Sequence, residues 1–446
     1  MIEVASGVIV ARCVELTLQY TTITNKEIQK HMNNIIVAQS GGPTTAINAS
    51  LVGVIKGALS SEGYDKVLGA LYGISGVLNE EFIELEELSD KELDCIYTTP
   101  SSYLGSCRYK MPDIEEDSSI YEKIFEILHK YEVTAFFYIG GNDSMDTISK
   151  LAEYGSSIGS KIRFAGVPKT IDNDLVNTDH TPGFGSAAKF IVASMLEFAH
   201  DTSVYQTPTV TLIEIMGRNA GWLTASAALA RNEYSEIPQL IYLPEVPFST
   251  DTFINDIQKV MKTTNNVVVA LSEGLQNERG EYLSATAATE DKFGHSQLSG
   301  VGKLLENLVK DKLGVKCRSV EINILQRCAA HMASATDLEE SELLGEKAVE
   351  YAVEGNTGYM TTIVRTSDEP YEYKIDMAEL DGIANKVKQV PKEWINSLGN
   401  DVTSEMIDYV KPLVCGEVNI EYKDGVPVYA DISHLTGSAC HTKAYA

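Results

Sequence analysis

A segment between residues 166 and 186, GVPKTIDNDLVNTDHTPGFGS, combines a cation with two carboxylates. Lys169, Thr170, Asp172 and Asp174 lie within six positions, among too many turn-forming residues for a helix. An acidic pair on a surface loop is usually solvated, but here an apolar strand precedes it and the lysine is near. In an extended segment, residues two apart point the same way. Like charges held that close need a cation, a metal or a proton between them, which favours a functional site.

A pair of glycines follows the first apolar segment, in SGGPTTAINAS. Gly41 and Gly42 would let the backbone approach a ligand, and the helix after them would offer free N–H groups to an anion. Paired glycines more often make a simple strand-to-helix turn, so this signal is weak alone. The loop matches neither a Walker loop nor a dinucleotide fingerprint.

Polar residues follow three further apolar segments. In GNDSMDT, Asp143 or Ser144 either caps a helix or joins Gly141 and Asn142 in a polar platform beside the glycine loop. An isolated charge is ordinarily solvated, although a position at a strand end favours function. The candidates in LIEIMGRNAGWLTAS and VALSEGL are Met216, Gly217, Arg218 and Glu273.

The elements that must position these loops alternate along the chain. Short, nearly continuous apolar segments predict buried parallel strands, and amphipathic segments between them predict helices on both faces. The predicted strands are NIIVAQ, VTAFFYIG, IRFAGV, TVTLIEI, QLIYL, NNVVVAL and VKCRSVEINI. We therefore expect an α/β protein with two doubly wound, Rossmann-like lobes of parallel sheet, an active site in the cleft between them, and a C-terminal tail. In such sheets, ligands bind at the carboxyl ends of the strands.

Composition excludes several classes of function. The chain has 446 residues and a formal charge of −27, which opposes binding to nucleic-acid phosphates, so a phosphate substrate would need cations gathered locally. Seven cysteines without a C-x-x-C pair argue against a disulfide framework and a zinc site. No apolar run approaches the roughly 18 residues that span a bilayer, and a secretory signal is lacking. We expect a cytoplasmic protein with no nucleic-acid or membrane partner.

Seven motifs occur in a characteristic order: GGPTTAINA, LGSCR, YIGGNDS, PKTIDND, MGRNAGW, SEG and QR. In sequence and spacing they resemble the phosphofructokinase family over roughly residues 34–355, and PKTIDND followed by MGR is highly specific. The resemblance implies phosphoryl transfer to the C1 hydroxyl of fructose 6-phosphate. Such reactions depend on alignment and charge stabilisation more than on covalent chemistry from the protein.

The resemblance also implies a role for each matching residue. Asp172 would receive the hydroxyl proton, Thr170 would hold the transferring phosphate, and Arg108 with Gly42 would stabilise the phosphoryl group. Asp174 would assist with orientation and with the metal, expected to be Mg²⁺. The residues assigned to the sugar phosphate are Met216, Gly217, Arg218, Glu273 and Arg327, together with Arg318 from across a subunit boundary. The last assignment requires a homodimer or homotetramer.

Two positions indicate the phosphoryl donor. ATP-using bacterial members resemble PGTIDND and GGDGS, whereas this chain has Lys169 and Asp143 in place of glycines, as in the pyrophosphate-dependent branch. Beside Gly141, the Asp143 carboxylate would fill the space of a nucleotide α-phosphate; two charges about 4 Å apart repel by roughly 4 kcal/mol at an effective dielectric near 20. Lys169 would donate a charge-assisted hydrogen bond worth about 1.5 to 3 kcal/mol. We therefore expect a reversible reaction with pyrophosphate, giving fructose 1,6-bisphosphate and phosphate.

Some alternatives stay open. Asn142 occupies a position where many relatives carry an acidic magnesium ligand, so the metal would depend on Asp172 or Asp174 instead. The rival functions are an ATP-dependent enzyme whose Asp143 swings aside and a relative that prefers sedoheptulose 7-phosphate. A non-catalytic subunit would lose the base or the phosphate arginine, and both are retained.

The expected division of the chain has four parts: an N-terminal extension (1–33), a phosphoryl-donor lobe (34–183, completed by about 327–380), a sugar-phosphate lobe (184–326) and a C-terminal tail (381–446). The tail breaks the alternation and is typical of an appended helical piece. It also contains a short hairpin turning at Asp424 and Gly425. No chemistry is assigned to it.

Overall fold

The computed structural model describes residues 32–61, 63–284, 300–383 and 386–436. Most of the expected N-terminal extension and the last residues of the tail lie outside this part of the chain. The strands are β1 (Asn34–Gln39), β2 (Lys66–Ala70), β3 (Phe82–Glu84), β4 (Val133–Gly140), β5 (Arg163–Pro168), β6 (Thr209–Ile215), β7 (Leu240–Tyr242), β8 (Asn266–Ser272), β9 (Lys316–Glu321), β10 (Tyr359–Asp368), β11 (Tyr371–Glu379), β12 (Tyr422–Lys423) and β13 (Val426–Pro427).

Helices connect these strands. The α-helices are α1 (Ala46–Ser60), α2 (Ile74–Asn79), α3 (Asp90–Thr98), α4 (Ser118–Lys130), α5 (Asn142–Ser157), α6 (Phe184–Ser203), α7 (Trp222–Ser226), α8 (Thr250–Val260), α9 (Val301–Leu313), α10 (Leu325–Cys328), α11 (Ala335–Val353), α12 (Ser404–Val410) and α13 (Ser433–Thr436). Short 3₁₀ helices cover Ala227–Ala230, Ala330–Met332, Lys392–Trp394 and Lys411–Val414. Within the described residues, no helix is both long and apolar enough to cross a bilayer.

The larger sheet has seven strands in the order β11-β10-β5-β4-β1-β2-β3. Its interior is parallel, with Ile36 opposite Phe136 and Phe136 opposite Phe164. The smaller sheet is parallel throughout, in the order β7-β8-β6-β9, with Ile213 opposite Ala270. Parallel strands joined by helices bring all their carboxyl ends to one edge.

Both sheets are buried on both faces, as the apolar strands predict. In β1, Ile36 packs into one core cluster with Phe136, while its neighbour Val37 packs into another cluster with Phe137. Because successive side chains point to opposite faces, apolar residues at successive positions require a helical layer on each side. The predicted α/β fold is confirmed.

The edges of the larger sheet differ from the expectation of parallel sheets. β3 pairs antiparallel with β2, and β11 pairs antiparallel with β10 in a hairpin that the sequence analysis missed. β11 lies at the edge, where its residues alternate between partly buried and exposed. An edge strand needs only one covered face, so it lacks the continuous apolar run that identified the interior strands.

The tail is built as short helices followed by a hairpin. Asp424 and Gly425 both have positive φ, 53° and 81°, at the turn between β12 and β13, which confirms the predicted hairpin. The earlier part of the tail packs on the smaller-sheet side, where the rings of Trp394 and Tyr409 lie 6.0 Å and 5.2 Å from that of Trp222. The tail is therefore anchored in a core.

Candidate active site

Loops after the strands of both sheets enclose a cleft of about 450 Å³. Its lining includes Gly41, Gly42, Arg108, Gly141, Asn142, Asp143, Lys169, Thr170, Asp172, Asp174, Met216, Arg218, Glu273 and Arg327. Segments more than 280 positions apart in sequence thus meet at one site, as strand-end geometry requires.

The glycine loop after β1 is in close contact with cations. The Lys169 Nζ donates a hydrogen bond of 2.7 Å to the Gly42 carbonyl oxygen. Gly41 has a φ of 80°, and a Cβ there would lie 3.2 Å from the same Nζ. A Cβ on Gly42 would lie 3.2 Å from the Arg327 Nη1. Glycine at both positions lets the backbone approach these two side chains, and hence any anion that they bind.

Lys169 is a buried cation, with only 2 % of its surface exposed. Burial, and then the neighbouring Arg327, lower its pKa from 10.5 to about 8, while Asp172 and Asp174 act in the opposite direction. Arg327 was expected on the sugar side, yet it also adjoins the glycine loop. The two cations form a positive corner in an acidic protein, which suits a phosphate group.

The aspartates of PKTIDND lie together, but not for the reason that the sequence suggested. The segment turns at Asn173, whose φ is 54°, so it is not extended. Burial raises the pKa of Asp172, against the attraction of Arg218, Lys169 and Arg327. Burial and the charge of Asp172 raise the pKa of Asp174. The two carboxylates thus repel each other, and a proton or a cation would relieve that repulsion.

Asn142 adds a third oxygen to this acidic corner. Its Nδ2 donates a hydrogen bond of 3.2 Å to the Asp174 Oδ2, and its Oδ1 is buried without a hydrogen-bond partner. Within the described residues, no three His, Cys, Asp or Glu side chains form a metal cluster. An unpaired amide oxygen beside two carboxylates nevertheless fits a hard divalent cation that also takes ligands from substrate phosphates and water.

The smaller sheet contributes the opposite wall. Gly217, with a φ of 137°, does not line the cleft, but its N–H donates to the Glu273 Oε1 over 3.4 Å. Burial, and then Asp172, raise the pKa of Glu273 to about 7. The Arg218 Nε is buried without a hydrogen-bond partner. This wall therefore presents an acceptor and an unused donor, the groups that a sugar phosphate requires.

The remaining candidates occupy different places. Thr170 lines the cleft, and its Oγ1 accepts a hydrogen bond from the Asp172 N–H over 3.2 Å. Asp143 lies in the first turn of α5, after Gly141 at the N-cap. Arg318 lies away from the cleft, where its Nη2 donates to the Asp201 Oδ2 over 2.6 Å.

Sequence reasoning missed two kinds of lining residue. Asn219 and Ala220 lie within MGRNAGW, so the motif contained the signal. Lys386 and Val387 come from the tail, to which no chemistry was assigned. The sequence analysis had missed β11, which ends at Glu379 before them, so the rule that ligands gather at strand ends gave no reason to select them.

Comparison with known proteins agrees with this geometry. Residues 34–352 match the model of the family described as Phosphofructokinase, and the chain belongs to that family. It is 40 % identical over 405 residues to a pyrophosphate–fructose 6-phosphate 1-phosphotransferase of Xanthomonas campestris pv. campestris, covering 90 % of this chain and 96 % of that protein. A protein of the same name from Halomonas elongata is 38 % identical, with the same coverage of both chains. The crystal structure of a pyrophosphate-dependent phosphofructokinase from Marinobacter aquaeolei superposes with a TM-score of 0.81 at 37 % identity, covering 90 % of this chain and 96 % of that one.

The buried charge of Lys169 gives a prediction about stability. Its pKa in the folded protein, about 8, lies below its ordinary value of 10.5, a difference worth about 3 kcal/mol. Between these pH values the unfolded chain holds more protons, so stability rises with pH across this window. We expect Lys169→Met to raise the free energy of unfolding at pH 7 by about 1 to 2 kcal/mol, after loss of the hydrogen bond to Gly42.

Urea unfolding at pH 7 and pH 9.5 would measure the stability gained by Lys169→Met and its dependence on pH. The variant should be more stable than the wild type at pH 7, and that advantage should shrink at pH 9.5. Lys392→Met, which changes an exposed lysine, is the matched control and should alter neither value. A variant less stable than the wild type at pH 7 would mean that Lys169 is a net stabilising group.

Proposed function

We propose that this protein catalyses the reversible transfer of a phosphoryl group from pyrophosphate to the C1 hydroxyl of fructose 6-phosphate. The observation that carries the proposal is the buried Lys169 ammonium, bonded to Gly42 in the glycine loop and next to the Asp172–Asp174 pair. A buried cation with unused donors at a backbone cradle binds a compact polyphosphate. The relatives described above carry the name of this reaction.

In the proposed reaction, the cleft aligns the two substrates. Asp172 accepts the proton of the sugar hydroxyl as it attacks, and its raised pKa makes it a better base than an ordinary aspartate. Thr170, Arg108 and Lys169 hold the phosphoryl oxygens, whose charge spreads during transfer. The leaving phosphate remains beside the glycine loop. In the reverse direction, protonated Asp172 returns its proton to the sugar oxygen.

We assign Mg²⁺ to the acidic corner. Asp174, Asp172 and the Asn142 Oδ1 would hold it, and when bound it supplies charge neutralisation for the phosphate oxygens. The Asn142 Nδ2 keeps the Asp174 carboxylate in place through the 3.2 Å hydrogen bond. The remaining ligands would be substrate phosphates and water.

Asp143 explains the choice of donor. Its carboxylate stands in the first turn of a helix, the part of a helix that otherwise attracts anions. It therefore opposes a longer chain of phosphates at this end of the cleft. The Asp143 carboxylate leaves the positive corner formed by Lys169 and Arg327 open to pyrophosphate.

Donor preference can be measured with three proteins. We expect the wild type to use pyrophosphate at least a hundredfold better than ATP, in kcat/KM. Lys169→Gly should lower kcat/KM for pyrophosphate roughly 10- to 150-fold, the equivalent of a lost charge-assisted hydrogen bond of about 1.5 to 3 kcal/mol. Asp143→Gly should raise kcat/KM for ATP by removing the repulsion.

The control for Asp143→Gly is Asp146→Gly, which removes an acid from the same helix where it pairs with Lys150. It should leave donor preference unchanged. Equal turnover of ATP and pyrophosphate by the wild type would refute the proposed donor.

The proposed base has its own test. Asp172→Asn should lower kcat by at least a hundredfold, because a general base typically contributes a factor of 10² to 10⁴. The affinity for fructose 6-phosphate, measured by calorimetry without the donor, should change less than about threefold. Asp113→Asn, an exposed aspartate, serves as the control. An asparagine variant with nearly full turnover would remove Asp172 from this role.

We further propose that the active unit is at least a dimer. Arg318 lies outside the cleft of its own chain, and the exposed apolar side chains Ile324 and Leu325 lie close by in sequence, before Arg327. An arginine donated to a neighbouring cleft would bind the 6-phosphate. We expect Arg318→Ala to raise KM for fructose 6-phosphate at least tenfold, with little change in kcat. Lys316→Ala on the same strand is the control.

Hybrids decide whether the contact crosses between subunits. In a mixed dimer of Arg318→Ala and Asp172→Asn chains, one of the two clefts would contain both an intact Asp172 and an intact Arg318. Mixing the two variants should therefore restore part of the activity at low concentrations of sugar phosphate. A fully active protein that sediments as a monomer would contradict this part of the proposal.

We also propose a cytoplasmic location. Among the described residues, Cys95, Cys107, Cys317, Cys328 and Cys415 are free thiols, which suits a reducing compartment.

A further inference from the structure

Residues 386–390 of the tail form a bridging segment between the two walls of the cleft. On the larger-sheet side, the Lys388 N–H donates to the Asp174 carbonyl oxygen over 2.8 Å. On the smaller-sheet side, the Trp222 Nε1 donates to the Lys388 carbonyl oxygen over 2.7 Å. The Val390 N–H donates to the Glu245 Oε1, which also accepts from the Gly221 N–H. One short segment thus connects the loop of the aspartates to the MGRNAGW loop.

The Lys388 side chain is directed into the aspartate loop. Its Nζ donates to the carbonyl oxygens of Asp179 and Thr178, over 2.6 Å and 3.3 Å, and to the Asn173 Oδ1 over 3.3 Å. It also lies 5.2 Å from the centre of the Trp222 ring, within cation–π range. An ammonium has three donors and no acceptor, and here all three have partners.

These contacts fix the conformation that brings Asp172 and Asp174 together. Asn173, between them, has a φ of 54° and is fully buried. Its Oδ1 accepts from the Thr181 N–H over 3.1 Å as well as from Lys388. A left-handed asparagine is uncommon and persists where its surroundings determine it. The shared acceptor makes Lys388 one of the groups that hold this turn.

We propose that Lys388 is a positioning residue for phosphoryl transfer, holding the turn at Asn173 so that the aspartate pair faces the cleft at a set distance from the Arg218 wall. This inference rests on the proposed function, since it assigns a role within the same site. Lys388 itself does not line the cleft. It acts through Asp174, Asn173 and Trp222.

A positioning role predicts an effect on kcat rather than on sugar binding. Four of the residues assigned to the sugar phosphate, Met216, Gly217, Arg218 and Glu273, follow β6 and β8, and the Lys388 Nζ donates none of its hydrogen bonds to them. A displaced Asp172 would lose alignment with the hydroxyl, and small misplacements of a reacting group lower the rate strongly. A merely structural lysine would instead lower stability and leave kcat per folded molecule unchanged.

The test compares Lys388→Met, Lys388→Arg and the exposed-lysine control Lys392→Met, each with pyrophosphate and with ATP. We expect Lys388→Met to lower kcat at least tenfold, with KM for fructose 6-phosphate changed less than about twofold. Lys388→Arg, which keeps the charge and the donors, should recover part of the lost kcat. Lys392→Met should match the wild type. A folded Lys388→Met protein with kcat within twofold of the wild type would overturn the inference.

Trp222→Phe provides a second route if Lys388→Met does not fold. It removes the N–H donated to the Lys388 carbonyl and part of the indole ring, and it leaves no buried charge unpaired. We expect kcat to fall about threefold or more with KM unchanged, and an unchanged kcat would overturn the inference. The wild type separates failure of the proposed function from failure of this inference. Turnover with ATP alone refutes the pyrophosphate proposal but leaves the role of Lys388 testable with ATP. An inactive wild type overturns both proposals.

Discussion

The repulsion between two buried carboxylates is the constraint around which this cleft is organised. Burial raises the pKa of both Asp172 and Asp174, and the charge of Asp172 raises the pKa of Asp174 as well. Three cations offset the charge of the carboxylates. Lys169 lies in the same loop, Arg218 lies on the opposite wall and Arg327 lies on a short helix. A protein with a net charge of −27 thus gathers cations locally at this cleft, where an anion could bind.

Two sheets make that local reversal possible. Each parallel sheet brings its strand ends to one edge. The backbone of Lys388 in the tail joins the two edges, donating a hydrogen bond to the Asp174 carbonyl oxygen and accepting one from the Trp222 side chain. The cations and carboxylates consequently lie on loops that leave separately packed cores. Preorganised charges stabilise a developing charge without reorganising at the moment of reaction.

The sequence predicted the interior of the fold and most of the cleft, and it failed where periodicity gave no signal. Ile36 and Phe136 identified buried strands because they lie in nearly continuous apolar runs, whereas β11 alternates at an edge and was missed. The aspartates were predicted as a pair from an extended segment, yet it is the turn at Asn173 that brings them together. Lys386 and Lys388 escaped notice because a long-range contact from an irregular tail leaves no local pattern. The catalytic roles and the division into lobes stay predictions.

The first turn of the helix Asn142–Ser157 shows how a small change fits the constraint. The GGDGS motif places one carboxylate in this turn, at the position that Asn142 occupies here. This chain instead has its carboxylate at position 143, about 100° further around the helix. At position 142, the neutral amide donates a hydrogen bond to Asp174 instead of adding a third negative charge beside it. An acid at that position would raise the pKa of Asp174 further and increase the need for a cation. The carboxylate at position 143 lines the cleft, and under the proposed function it would oppose a longer donor there, so the same two positions would serve both the aspartate pair and the selection of the donor.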